Sequence, residues 1–238
     1  MTLASHMKRP PADWLDTLPS DRLIVEMSLW SADLANMEAD TKRVESGTDI
    51  FHLDAADGHF SPAFLLFPDQ TARLRGVTAK PFHVHLMIGD AILESQIEQF
   101  AEAGADLISV HAENANAKQG LALIKKLGLK AGVVLQLQTP VAAAISYLED
   151  IDMLTLLGTR IGVKGQGLDE AAPNRLREAR ALVAEGVKGR RVIVAADGGI
   201  RENTVPLLRQ GGAQTIVMGS LAFGAPDFAK RIQWVHSQ

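Results

Sequence analysis

His52 and Asp54 close one apolar run of the chain, His85 closes a second, and Asp197 closes a third just before Gly198-Gly199. In an extended strand alternate side chains share a face, so His52 and Asp54 project together while Leu53 turns away. Imidazole nitrogens and carboxylate oxygens are the usual ligands of a catalytic divalent ion, and carboxylates can also move protons. The plainer alternative is a set of buried strand-end residues satisfied by hydrogen bonds among themselves. Convergence of several such residues on one mouth favours chemistry. His111 ends another run in Val110-His111-Ala112-Glu113 and reads as structural support beside the same place.

Runs of strand length recur along the chain, at 23–28, 49–54, 82–87, 107–111, 131–137, 153–157, 192–197 and 215–219. Amphipathic stretches of helical period alternate with them, at 34–45, 69–75, 91–103, 118–127, 141–148, 170–185, 204–210 and 228–235. Strands joined through helices imply a parallel sheet, and eight such units in 238 residues predict one closed (β/α)8 TIM barrel. In the third helix, Ile92, Ile97, Phe100 and Ala101 are expected to share the inner face. The domain reading is an arm over 1–22 and a barrel over 23–238, with 1–6 a possible tag remnant and the arm disordered. His6 carries no functional weight. Barrel active sites lie at the C-terminal ends of the strands, where every chemistry-bearing residue above falls.

Composition narrows the partners. A net charge of −4 argues against a broad nucleic-acid or anionic-membrane surface, and no apolar stretch reaches spanning length. With no cysteine, any metal must be held by His and carboxylate, and a reducing cytoplasm suits the chain. Gly198-Gly199 after the seventh strand and Gly219-Ser220 after the eighth offer backbone N–H groups near helix starts, the usual phosphate cradle of such barrels.

The chain resembles the ribulose-phosphate 3-epimerases from about Glu26 to Asp227. The resemblance is carried by Ser28-Leu-Trp-Ser-Ala-Asp33, His52-Leu-Asp-Ala-Ala-Asp-Gly-His-Phe60, His85-Leu-Met-Ile88, Val110-His-Ala-Glu113, Asp197-Gly-Gly-Ile200 and Gly219-Ser220. It implies a ribulose-phosphate-binding barrel that inverts C3 of a ketose phosphate through an enediolate, D-ribulose 5-phosphate to D-xylulose 5-phosphate by default. It also implies His52, Asp54, His85 and Asp197 as ligands of one divalent ion (Zn, Fe(II), Mn or Co), with Asp54 and Asp197 doubling as the acid/base pair. Ser28 becomes a substrate-contacting hydroxyl, Met87 a retained methionine of the substrate pocket, and a homo-oligomer is expected.

One stretch departs from the family. Where relatives carry Asn-Pro-Gly-Phe-Gly-Gly-Gln after the sixth strand, this chain has Arg160-Ile-Gly-Val-Lys-Gly-Gln166, keeping Gly162, Gly165 and Gln166 and gaining Arg160 and Lys164. Those cations could pair with the phosphate or a second anionic group, or be solvated lid residues. The change keeps another ketose phosphate open, allulose 6-phosphate or a tetrulose phosphate. A sugar-phosphate lyase or decarboxylase on a similar barrel is disfavoured, because Asp54-Ala-Ala-Asp57 lacks the lysine those relatives use. His83 reads as a hydrogen-bonded core residue, and Asp57 and His59 as shapers of the loop after the second strand.

Overall fold

The computed structural model describes residues 7–238; the tag remnant expected at 1–6 lies outside them. Eight strands form the barrel: β1 (Ile24–Ser28), β2 (Ile50–Ala56), β3 (Phe82–Met87), β4 (Leu107–His111), β5 (Lys130–Leu135), β6 (Met153–Leu157), β7 (Ile193–Asp197) and β8 (Thr215–Met218). All pair in parallel in sequence order, and β1 closes on β8 with Ile24 opposite Thr215. The (β/α)8 expectation therefore holds, with strand ends displaced by a few residues at most. No helix among the described residues is long and apolar enough to cross a membrane.

The helices are α1 (Met37–Val44), α2 (Pro68–Arg75), α3 (Leu93–Ala103), α4 (Ala117–Lys126), α5 (Ala172–Gly186), α6 (Val205–Gln210), α7 (Ser220–Phe223) and α8 (Phe228–His236), plus a 3-10 helix at Val141–Tyr147. Pro stands in the first turn of α2, α5 and α6, where its missing N–H is no loss and its fixed φ suits helix initiation. Leu93, Ile97 and Phe100 make the buried stripe of α3. Ile92, expected on that face, is exposed at the helix's N-terminal cap, and Leu93 takes its place. The four-residue α7 was not foreseen, being too short to show a period.

Two apolar layers result. Outward-facing strand residues pack on the helices, while Ile24, Ile50, Leu107, Met153 and Ile193 fill the bottom of the barrel interior. Trp14 and Leu15 plug that end, so residues 7–22 are not the disordered arm the sequence suggested. Arg191 holds this segment by donating to the carbonyls of Leu15, Leu18 and Pro19. Above the apolar floor the interior turns polar, and the strand period lifts His52, Asp54, His85, His111 and Asp197 toward the open end.

Candidate active site

Asp54 from β2 and Asp197 from β7 reach the top of the barrel on either side of β1 and β8. His85 from β3 and His52 from β2 complete the group, with one donor atom from each residue within 4.8 Å of the others. His52 Nε2 lies 3.3 Å from Asp54 Oδ1 and 4.0 Å from Asp197 Oδ2. His85 Nδ1 lies 3.4 Å from Asp54 Oδ1 and 3.6 Å from Asp197 Oδ2. Neither imidazole nitrogen has a hydrogen-bond partner, although both are buried.

The tautomers follow from what lies behind each ring. An ionised carboxylate only accepts, so His52 Nδ1 donates to Glu26 Oε2 (2.9 Å) and its Nε2 points into the group. His111 Nδ1 likewise donates to Glu113 Oε2 (3.0 Å). Burial pushes the His111 pKa down to about 4, so this ring is neutral and its Nε2 accepts from His85 Nε2 at 2.8 Å. That leaves the Nδ1 of His85 facing Asp54 and Asp197. His111 stands behind His85 and fixes its ring.

This donor set fits a divalent cation. Two ring nitrogens without hydrogen-bond partners and two carboxylates face a common centre, and their 3.3–4.0 Å separations are the edges expected for ligands about 2.0–2.2 Å from one ion. The electrostatics agree. Burial acts to lower the His52 pKa, but Asp54, Glu26 and Asp197 outweigh it and raise the value well above normal. A proton and a cation compete for the same electron pair, so a site that attracts one attracts the other.

The carboxylates differ from each other. Burial opposes ionisation of Asp54, but His52 and His85 overcome it and hold the pKa well below the usual range. Ser28 Oγ also donates to Asp54 Oδ2 at 2.9 Å. Asp197 is pushed up to about 6, by burial first and by the neighbouring Asp54 charge.

A cavity of about 360 Å³ opens over the group. Ser28, Asp54, His85, Met87 and Asp197 line its floor. Arg160, Lys164, Gly165, Gln166, Gly198, Gly199, Gly219 and Ser220 line its walls. Every residue expected to act on the substrate or hold the metal lines this cavity except His52, which lies fully buried beneath it. Gly198 and Gly199 have φ of 89° and 71°, left-handed backbone that glycine adopts without strain. They stand several residues ahead of α6 rather than at its first turn, whereas Gly219 caps α7 directly.

Gln166 is spent inside its own loop, donating to the carbonyls of Arg160 and Val163. Lys164 spans the mouth, with Nζ donating to the Trp30 carbonyl at 2.6 Å and lying 4.7 Å from the Trp30 ring centre. Arg201, which no local pattern marks, lines the cavity and donates to the Gln166 carbonyl. Asp57 takes the backbone N–H groups of His59, Phe60 and Gly89, the loop-shaping part expected of it. Glu26 was missed as well; its only signal is an acidic residue amid the apolar Ile24-Val25 and Met27.

The Ribulose-phosphate 3 epimerase family matches the chain over residues 24–223. The chain is 37% identical to the ribulose-phosphate 3-epimerase of Bacillus subtilis (strain 168) over 211 residues, which cover 87% of this chain and 95% of the relative. It is 34% identical to the chloroplastic ribulose-5-phosphate-3-epimerase of Arabidopsis thaliana over 225 residues, 93% of this chain and 79% of that one. Among solved structures, orotidine 5'-phosphate decarboxylase from Pyrococcus horikoshii OT3 matches with a TM-score of 0.64 at 15% identity, covering 90% of this chain and 98% of that one, which speaks to the fold alone.

Proposed function

The chain belongs to the ribulose-phosphate 3-epimerase family, and from that premise we propose that it converts D-ribulose 5-phosphate to D-xylulose 5-phosphate by inverting C3. The observation that carries this reading is the convergence of Asp54 and Asp197 with His52 and His85 on one group of donors below a single cavity.

Inversion beside a carbonyl takes a proton from one face of C3 and returns one to the other. Asp54 and Asp197, reaching the substrate from β2 and β7, would serve the two faces and exchange roles with reaction direction. Ser28 keeps the Asp54 carboxylate turned toward the cavity. His52, Asp54, His85 and Asp197 would hold one divalent ion, and zinc, iron(II), manganese and cobalt all suit this mixed donor set. When bound, that ion supplies Lewis-acid stabilisation of the charge developing on the carbonyl and hydroxyl oxygens. The backbone amides at Gly198, Gly199, Gly219 and Ser220 would receive the phosphate, and Met87 would pack against the sugar. We propose a cytoplasmic homo-oligomer with no nucleic-acid or membrane partner.

The test is an NMR time course in D2O with D-ribulose 5-phosphate. Deuterium should enter at C3 as xylulose 5-phosphate forms, and exhaustive chelation should stop both until a divalent ion is restored. Absence of C3 exchange from ion-loaded protein would refute this substrate.

Arg160 and Lys164 take the role of anion partners at the lid. No carboxylate pairs with either of them among the described residues, so each has charge to offer the phosphate. Arg160→Ala and Lys164→Ala should each raise KM roughly fivefold, the equivalent of ~1 kcal/mol for a part-solvated charge-assisted contact. Bound metal should not change. An unaltered KM on ribulose 5-phosphate would assign them to solvent or to another ketose phosphate.

A further inference from the structure

The interior holds a carboxylate that the reaction does not use. Glu26 projects from the middle of β1 below Ser28 and is wholly shielded from solvent. Its Oε2 accepts from His52 Nδ1 at 2.9 Å and from His83 Nδ1 at 2.7 Å, while Oε1 accepts from Thr215 Oγ1 at 3.2 Å. The other nitrogen of His83 is taken by Ser109 Oγ at 2.7 Å. Room for that hydroxyl depends on Gly132, where an added Cβ would lie 2.0 Å from it.

A buried carboxylate is costly to desolvate, and an apolar side chain would fill this layer more simply. The partners show what the carboxylate does. We infer that Glu26 is the positioning residue of the metal centre, fixing the His52 ring so that Nδ1 faces Glu26 and the unpartnered Nε2 faces Asp54, Asp197 and His85. A flip of the His52 ring would strand the Nδ1 proton and take away one of the three donors to Glu26. The carboxylate also makes the imidazole a stronger donor, as carboxylates behind metal-bound histidines do. His83 and Thr215 are the rails that hold Glu26 in line.

Glu26, His52 and His83 also offer three ligand atoms within 4.8 Å of one another. They do not make a second cation site. Glu26 Oε2 already accepts from both rings, and both nitrogens of His83 are engaged. The cluster serves the ion above it.

The inference rests on the divalent-ion reading of the site, and the experiment separates the two. Zinc and cobalt(II) dissociation constants would be measured by chelator competition for the wild-type protein and for Glu26→Gln, which keeps the volume and removes the charge. The expected result is a 10- to 100-fold weaker affinity in Glu26→Gln with an unchanged circular dichroism spectrum. Thr215→Val, which removes only the hydroxyl contact, should show a smaller loss. A Glu26→Gln protein that melts earlier yet binds both ions as tightly as wild type would reduce Glu26 to packing and overturn the inference. Failure of wild-type protein to bind either ion would instead remove the metal site itself. If Glu26→Gln does not fold, the zinc-loaded wild type decides by nitrogen-15 NMR. A strongly downfield proton on His52 Nδ1 supports the assignment, and a proton on Nε2 overturns it.

Discussion

Asp54→Asn and Asp197→Asn should each abolish measurable epimerisation, a loss of about 10²- to 10⁴-fold from general acid/base catalysis alone. The amide keeps the side-chain shape but can neither take nor return a proton at C3. The informative measurement is solvent exchange with each epimer separately. In a two-carboxylate mechanism each residue abstracts from one epimer only. The variant lacking one should therefore still exchange the C3 proton of the epimer that the other serves. Asp54→Asn and Asp197→Asn should retain exchange on opposite epimers. Both residues belong to the donor group, so both variants should also bind metal more weakly, and the experiment is run with ion in excess. Full turnover by either variant would exclude the pair as acid and base.

Arg75→Met should destabilise the fold by about 3–5 kcal/mol while leaving kcat/KM unchanged at temperatures where the protein is folded. Arg75 sits in the last turn of α2, completely buried at the closed end of the barrel. Its Nη1 donates to Asp106 Oδ2 at 2.8 Å, and its Nη2 donates to the carbonyls of Thr78 and Lys80, each at 2.6 Å. The guanidinium carbon lies 3.8 Å from the Phe82 ring centre. Burial pulls the Arg75 pKa down to about 10 despite Asp106, and burial raises Asp106 despite its cationic partners, so both charges are strained by desolvation. Methionine fills similar space but leaves Asp106 with the half-exposed Arg9 and the Phe82 N–H as its remaining partners. In a chain of this size the expected loss corresponds to a melting-temperature drop of about 10 °C. Adding Asp106→Asn should cost much less than its single effect, because the stranded charge is gone. A melting temperature within a degree of wild type would show that the pair contributes nothing net.

Reading the chain by pattern worked where a local rule governs. β3, β4 and β6 were bounded to the residue, because their apolar runs stop where a loop begins. His52 and Asp54 were placed on one face by the strand period, and the later His85 and Asp197 by their positions at run ends. Pattern failed where tertiary context chose between equal local options. Ile92 and Leu93 are both apolar at the start of α3, and only the docking of that helix decides that Leu93 goes inward. The segment holding Trp14 and Leu15 has no period at all, yet the open floor of the barrel buries both.

The eightfold alternation, the strand-end placement of the reactive residues and the family are all legible in short-range pattern. Each depends on neighbours a few positions apart, where backbone geometry sets which way a side chain points. Only the closed barrel decided which charges meet. Glu26 finds His52 and His83 across separations of 26 and 57 residues, and Arg75 finds Asp106 across 31. The lowered pKa of Asp54 comes from His52 and His85 acting against its burial, and the raised pKa of Asp197 comes from burial and the Asp54 charge. Desolvation and Coulomb energy depend on distance in space, and the lateral pairing of β1 with β2 and of β2 with β3 turns separation along the chain into contact.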